Sequence, residues 1–183
     1  MSRLLAAALV ALAAASPAWA ALDVGEKAPD FTTPAALGGQ VFQFSLAQSL
    51  AKGPVVLYFF PAAFSVGCSI EAHEFAEAVD RYRELGATVV GVSTDDIDTL
   101  GKFSVQGCQS KFPVASDAGK TIVKSYDAAM FLLPDYANRV SYVISPDGAI
   151  VYNYQSLNPS KHVEKTLAAL RDWAKVKTSA AAK

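Results

Sequence analysis

Residues Pro54–Phe60 read PVVLYFF, an apolar run with no charged or small polar residue in it. A strand with one face in water alternates apolar and polar side chains, so an unbroken run demands cover on both faces. A chain that contains this run must place a sheet between two layers. Thr88–Ser93 (TVVGVS) is a second strand of the same kind. Between them Ala72, Phe75, Ala76, Val79 and Tyr82 recur at helical spacing, which predicts a helix over Ser65 to Leu85, stopped by Gly86. Strand, crossover helix and strand form a parallel pair.

The rest of the chain extends that unit. Phe31–Pro34 and Val41–Phe44 flank Gly38-Gly39 as a hairpin. Asp95 or Asp96 caps a helix that runs to Gln106 and stops at Gly107. A short strand over Phe112–Ala115 and a short helix over Ala118–Tyr126 follow. The apolar stretch Met130–Leu133 reads as core packing, with a pocket wall or a dimer contact as the other options. Val140–Ser145 and Ala149–Tyr154 form a hairpin across Pro146-Asp147-Gly148. Asn158-Pro159 opens a last helix that turns Val163, Leu167, Leu170 and Ala174 inward and runs to about Val176. Lys177–Lys183 is expected to be a disordered tail. The expected class is α/β with a thioredoxin-like order: a central mixed sheet flanked by helices, with an N-terminal hairpin added.

Residues 1–20 are a separate matter. Arg3, the uncharged run Leu4–Ala15 and Ala18-Trp19-Ala20 have the layout of a signal peptide cut before Ala21. The run is too short to span a bilayer. The expected domain is therefore 21–183, exported to the periplasm, with no stable membrane association after cleavage. The leader inflates the apolar content of 52%. A net charge of −1 provides no basic field for nucleic acid. In an oxidising compartment the two cysteines, Cys68 and Cys108, first suggest one structural disulfide.

The position of Cys68 argues for chemistry instead. It lies in the first turn of a helix that follows a buried strand, where unpaired amides and the helix dipole stabilise a thiolate. It shares the inward side with Ala72. His73 falls about 140° away around the helix, with Glu77, Asp80 and Glu84, and is expected to be a solvated surface residue.

Pro61, Ser65 and Cys68 have the spacing P-x-x-x-[T/S]-x-x-C, with Glu71 and Ala72 following. This resembles the active-site loop of peroxiredoxins (the AhpC/TSA superfamily), and G-C-x-x-E-A resembles the Q-type, or bacterioferritin-comigratory, branch. Gly25–Phe31, Thr88–Asp95, Phe112-Pro113 with Ser116-Asp117, and Asn138–Ile144 match further family blocks in order. The resemblance implies a thiol-dependent peroxidase that reduces hydrogen peroxide or organic hydroperoxides without a cofactor or metal. Cys68 would be the peroxidatic cysteine and Arg139 its cationic partner. Pro61, Ser65, Gly67 and Arg139 would hold the peroxide. Glu71 either orients Arg139 or is a first-turn carboxylate that suits the helix dipole. A dithiol protein of thioredoxin type would be the reductant, and the chain a monomer or homodimer.

Three departures stand out. Ser65 replaces the usual Thr and lacks the methyl that fixes the rotamer. Val66 replaces the usual Pro. His73 stands where the Q-type resolving cysteine falls. Cys108 is then the candidate resolving thiol, in a helix weakened by Gly101 and Gly107; a structural staple and an inert buried thiol are the alternatives. Two other functions remain open. A thioredoxin-like disulfide oxidoreductase is disfavoured by Ser65, which stands where that motif needs a cysteine. A non-enzymatic copper or haem binder is disfavoured by two histidines that the sequence places far from the cysteine.

Overall fold

The computed structural model describes residues 21–181. The expected leader, with Arg3 and Ala18-Trp19-Ala20, lies outside the described residues. Among those described, seven strands form one mixed sheet: β1 (Thr32–Leu37), β2 (Gln40–Ser45), β3 (Val55–Phe59), β4 (Thr88–Ser93), β5 (Val114–Ser116), β6 (Val140–Ile144) and β7 (Ile150–Gln155). Their spatial order is β2-β1-β5-β4-β3-β6-β7. The strands β3, β4 and β5 are parallel, while β6 pairs antiparallel with β3 and β1 antiparallel with β5. The helices are α1 (Leu46–Leu50), α2 (Val66–Glu84), α3 (Ile97–Gln106), α4 (Thr121–Ser125) and α5 (His162–Ala181).

The unbroken run behaves as its composition requires. Every residue of β3 is buried, and alternate side chains feed two cores. Val55, Leu57 and Phe59 pack with Leu46, Tyr126 and Tyr142. Val56, Tyr58 and Phe60 pack with Phe75 of α2, Phe103 of α3 and Leu167 of α5. The inward stripe of α2 is buried at all five expected positions. The first hairpin closes on Gly38 and Gly39 at φ 56° and 81°. Two consecutive positive φ values are what a two-residue hairpin turn needs, and glycine adopts them without strain.

Three differences from the sequence reading have physical causes. Helix α1 was not anticipated; Ser45 caps it by accepting from the Gln48 amide, but five residues are too few to display a helical period. Helix α5 continues to Ala181 past Val176, helped by alanine's high helix propensity and by Lys177 over the Trp173 ring. Phe131, Leu132 and Leu133 are exposed, which corrects their assignment to the core. An Ala129–Ala137 bridge and a bond from the Met130 amide to the Tyr136 carbonyl (2.9 Å) close this stretch into a loop. The loop satisfies its own backbone and turns these side chains outward. No helix among the described residues is long and apolar enough to cross a membrane.

Candidate active site

At the end of β3 the Phe60 amide still donates to the Val92 carbonyl (3.0 Å), after which the chain enters the loop that begins at Pro61. Asp95 pins this loop from the end of β4: its Oδ2 accepts from the Ala63 amide (2.7 Å) and from Ser93 Oγ (2.8 Å). Phe64 takes φ 63° and sets its ring edge-on to Phe103 at 5.2 Å. Pro61 is half-buried at the mouth of the loop.

Ser65 is the N-cap of α2 by backbone conformation, yet its side chain caps nothing. The hydroxyl donates to the Ala62 carbonyl (3.0 Å) and makes no hydrogen bond to Cys68. The hydroxyl expected to help hold the peroxide is therefore engaged with the loop backbone. The first-turn amides of α2 are left uncapped by the side chain, which keeps them available to an anion. Cys68 is the third residue of the helix and is buried.

Arg139 meets Cys68 because of strand register. Phe59 of β3 pairs with Val140 of β6, so the residue before Val140 lies beside the loop that leaves β3. Arg139 Nη2 donates to Cys68 Sγ at 3.3 Å. Its Nη1 donates to Glu71 Oε2, and its Nε donates to the Leu157 carbonyl at 3.2 Å. Three directed bonds fix the guanidinium, and Arg139 as a residue is only 4% exposed. Gly67 lets it approach: a Cβ there would come within 3.1 Å of Nη2.

Of the two roles open to Glu71, the geometry supports the orientation of Arg139. Glu71 is fully buried and paired with the guanidinium. Burial raises the Glu71 carboxyl, and the adjacent Arg139 opposes that rise. Burial disfavours the Arg139 cation, but Glu71 and Cys68 outweigh it and hold the proton there.

The sequence reading missed His162. Far from being remote, it lies fully buried with Nδ1 3.5 Å from Glu71 Oε1. Burial lowers its imidazole to about 4, so the ring is neutral at neutral pH. Its spacing of four and eight residues from Thr166 and Leu170 on the inner face of α5 was the one available signal. His73, as expected, is exposed on the outer face of α2, 2.6 Å from Gln109 Nε2.

Cys108 is a free thiol, as is Cys68, and both belong to the same apolar cluster. No disulfide joins the two in this structure. Burial pushes the Cys108 thiol well up. Gln109 and Ser110 directly after it adopt φ 51° and 56°, a left-handed conformation unfavourable for side chains of this kind. A cleft of about 550 Å³ lined by Phe64, Ile70, His73, Phe103 and Gly107 separates the outer side of α2 from the end of α3. Among the described residues no group of three or more His, Cys, Asp or Glu side chains could hold a metal ion.

Comparison with known proteins places these features in context. Residues 24–153 match the model of the AhpC/TSA family. The chain is 32% identical over 156 residues to peroxiredoxin Q, chloroplastic, of Populus jackii, covering 84% of this chain and 70% of that protein. It is 31% identical over 153 residues to the putative peroxiredoxin MT1643 of Mycobacterium tuberculosis, covering 82% and 97%. The crystal structure of peroxidoxin BcpB from the same organism superposes with a TM-score of 0.73 at 31% identity, over 81% of this chain and 96% of that one.

Proposed function

The chain belongs to the AhpC/TSA family of peroxiredoxins, thiol-dependent peroxidases, and on that premise we propose that Cys68 is its peroxidatic thiol and Cys108 its resolving thiol. The observation that carries the first assignment is the 3.3 Å contact of Arg139 Nη2 with Cys68 Sγ at the uncapped start of α2. A permanent cation and the first-turn amides both lie at the sulfur, whose thiolate form is the nucleophile. The thiolate attacks the terminal oxygen of a hydroperoxide and the O–O bond breaks. The sulfur becomes a sulfenic acid, and the other oxygen leaves as alcohol or water once it takes a proton. Arg139 and the amides also face the oxygens on which charge develops. Pro61 and Gly67 line the approach.

Resolution joins Cys108 sulfur to Cys68 sulfur and expels the sulfenic oxygen as water. A dithiol protein of thioredoxin type then reduces the disulfide by exchange. In its buried position Cys108 stays protonated and unreactive, so its segment must open first. Left-handed residues flank both cysteine segments, at Phe64 and at Gln109-Ser110, and the cleft leaves their outer sides unpacked. Both features lower the cost of opening. Export to the periplasm belongs to the same proposal and rests on the pattern of residues 1–20.

The test is peroxide-dependent oxidation of a supplied dithiol by the wild type, Cys68→Ser and Cys108→Ser. Cys68→Ser is expected to be inactive. Cys108→Ser is expected to oxidise at Cys68 but to accumulate sulfenic or overoxidised product. One peroxide equivalent should lower the wild-type mass by about 2 Da as the disulfide forms. Full activity in Cys68→Ser overturns the mechanism. Equal turnover of Cys108→Ser and wild type removes Cys108 from it.

A further inference from the structure

We propose that His162 is a positioning residue of the Cys68 site, fixing Arg139 through the Ser156–Leu157 turn and, as a neutral ring, leaving Glu71 to pair with the guanidinium alone. This rests on Cys68 being the reactive thiol. The hydrogen bonds close a ring. His162 Nε2 donates to the Ser156 carbonyl at 2.9 Å, and the Ser156 amide donates to the Arg139 carbonyl at 3.2 Å. The next carbonyl, that of Leu157, accepts from Arg139 Nε. The imidazole thus holds the turn that holds the guanidinium. On its other edge Nδ1 accepts from Ser141 Oγ at 2.8 Å and faces Glu71 Oε1 at 3.5 Å.

These partners decide the tautomer. A proton on Nδ1 instead of Nε2 would set a ring lone pair against the Ser156 carbonyl oxygen. With Nε2 protonated, the nitrogen facing Glu71 carries no proton, and Oε1 receives no hydrogen bond from any described residue. A neutral ring therefore makes no ion pair with Glu71 and does not compete with the guanidinium for it. Oε2 is left to Arg139 alone, and Arg139 can point its second nitrogen at sulfur. A cationic ring would draw Glu71 away from the guanidinium. The groups facing His162 from the packed elements are Glu71 of α2, Arg139 ahead of β6 and the Tyr154 ring of β7 at 4.9 Å. Burial of the ring keeps it neutral above about pH 5.

The test uses Cys108→Ser as background, so that only the first step is read. Two quantities are followed against pH: alkylation of Cys68 by iodoacetamide, and its second-order oxidation by hydrogen peroxide. His162→Phe should slow peroxide oxidation about tenfold at neutral pH and move the alkylation profile to higher pH. His162→Gln, whose amide can still reach the Ser156 carbonyl, should recover most of the rate. A purely structural role would lower stability and leave both profiles in place; that result in folded His162→Phe overturns the proposal. If His162→Phe does not fold, His162→Gln is compared with His162→Asn, whose shorter amide does not reach. Indistinguishable profiles for those two also overturn it. Peroxide consumption that survives Cys68→Ser overturns the site assignment itself and the role of His162 with it.

Discussion

Arg139 makes three directed bonds and Glu71 one ion pair, yet the two differ in how far a sequence betrays them. Arg139 precedes β6, the strand paired with the β3 that leads to the cysteine loop, so its place followed from pairing. Glu71 lies three residues from Cys68, and sequence could not separate a first-turn carboxylate from an Arg139 partner; α2 begins at Val66, which puts Glu71 beyond its first turn. His162 was unreadable as a partner, because its distance to Glu71 arises between α5 and α2, 91 positions apart in the chain. Its burial also has a consequence for stability. An imidazole lowered to about 4 in the fold and near 6.5 in the unfolded chain gives the unfolded state more bound protons between those values. The contribution of His162 to stability is therefore full above pH 6.5 and is lost as pH drops toward 4, on the order of 3 kcal/mol. Urea midpoints at pH 7 and pH 4.5 should differ accordingly, and His162→Gln should flatten that part of the profile.

The helix α2 was legible almost to the residue, because its apolar stripe from Ala72 to Tyr82 repeats over about three turns. Helix α3 was equally plain, with Asp96 accepting from the Thr99 amide at 2.7 Å and Gly107 at its end. Helix α1 and the loop Met130–Tyr136 were not, since a short apolar stretch looks alike whether it is buried or turned outward. The proposed opening of the Cys108 segment belongs to this scale. Gly101 sits inside α3, and a Cβ there meets nothing within 4 Å. Gly101→Ala should stabilise the protein by about 1 kcal/mol and slow Cys68–Cys108 disulfide formation about fivefold. Peroxide oxidation of Cys68 itself should be unchanged. A stabilised variant that forms the disulfide at the wild-type rate would show that α3 does not open.

At the scale of the whole molecule, the neutral charge and the enclosed site act together. The formal charge is −1 and the reacting cation is buried. A neutral peroxide gains nothing from long-range steering. The rate of Cys68 oxidation by hydrogen peroxide should change by less than about twofold between low salt and 0.5 M salt. A steep fall would point to an anionic substrate instead. The fold shows the same division between local and long-range causes. Two apolar runs, a helical stripe, turn residues and the P-x-x-x-S-x-x-C spacing determined the layered sheet, most element boundaries and the cysteine proposed to react, since each acts over a few bonds or a few turns. Only the tertiary structure decided that the first hairpin joins the sheet through β5 and that the Ser65 hydroxyl turns to Ala62. It alone decided that Cys108 is sealed in the core and that a buried histidine stands behind Glu71. Those outcomes depend on distances between segments remote in the chain, which the balance of burial and hydrogen bonding sets only once the whole sheet has closed.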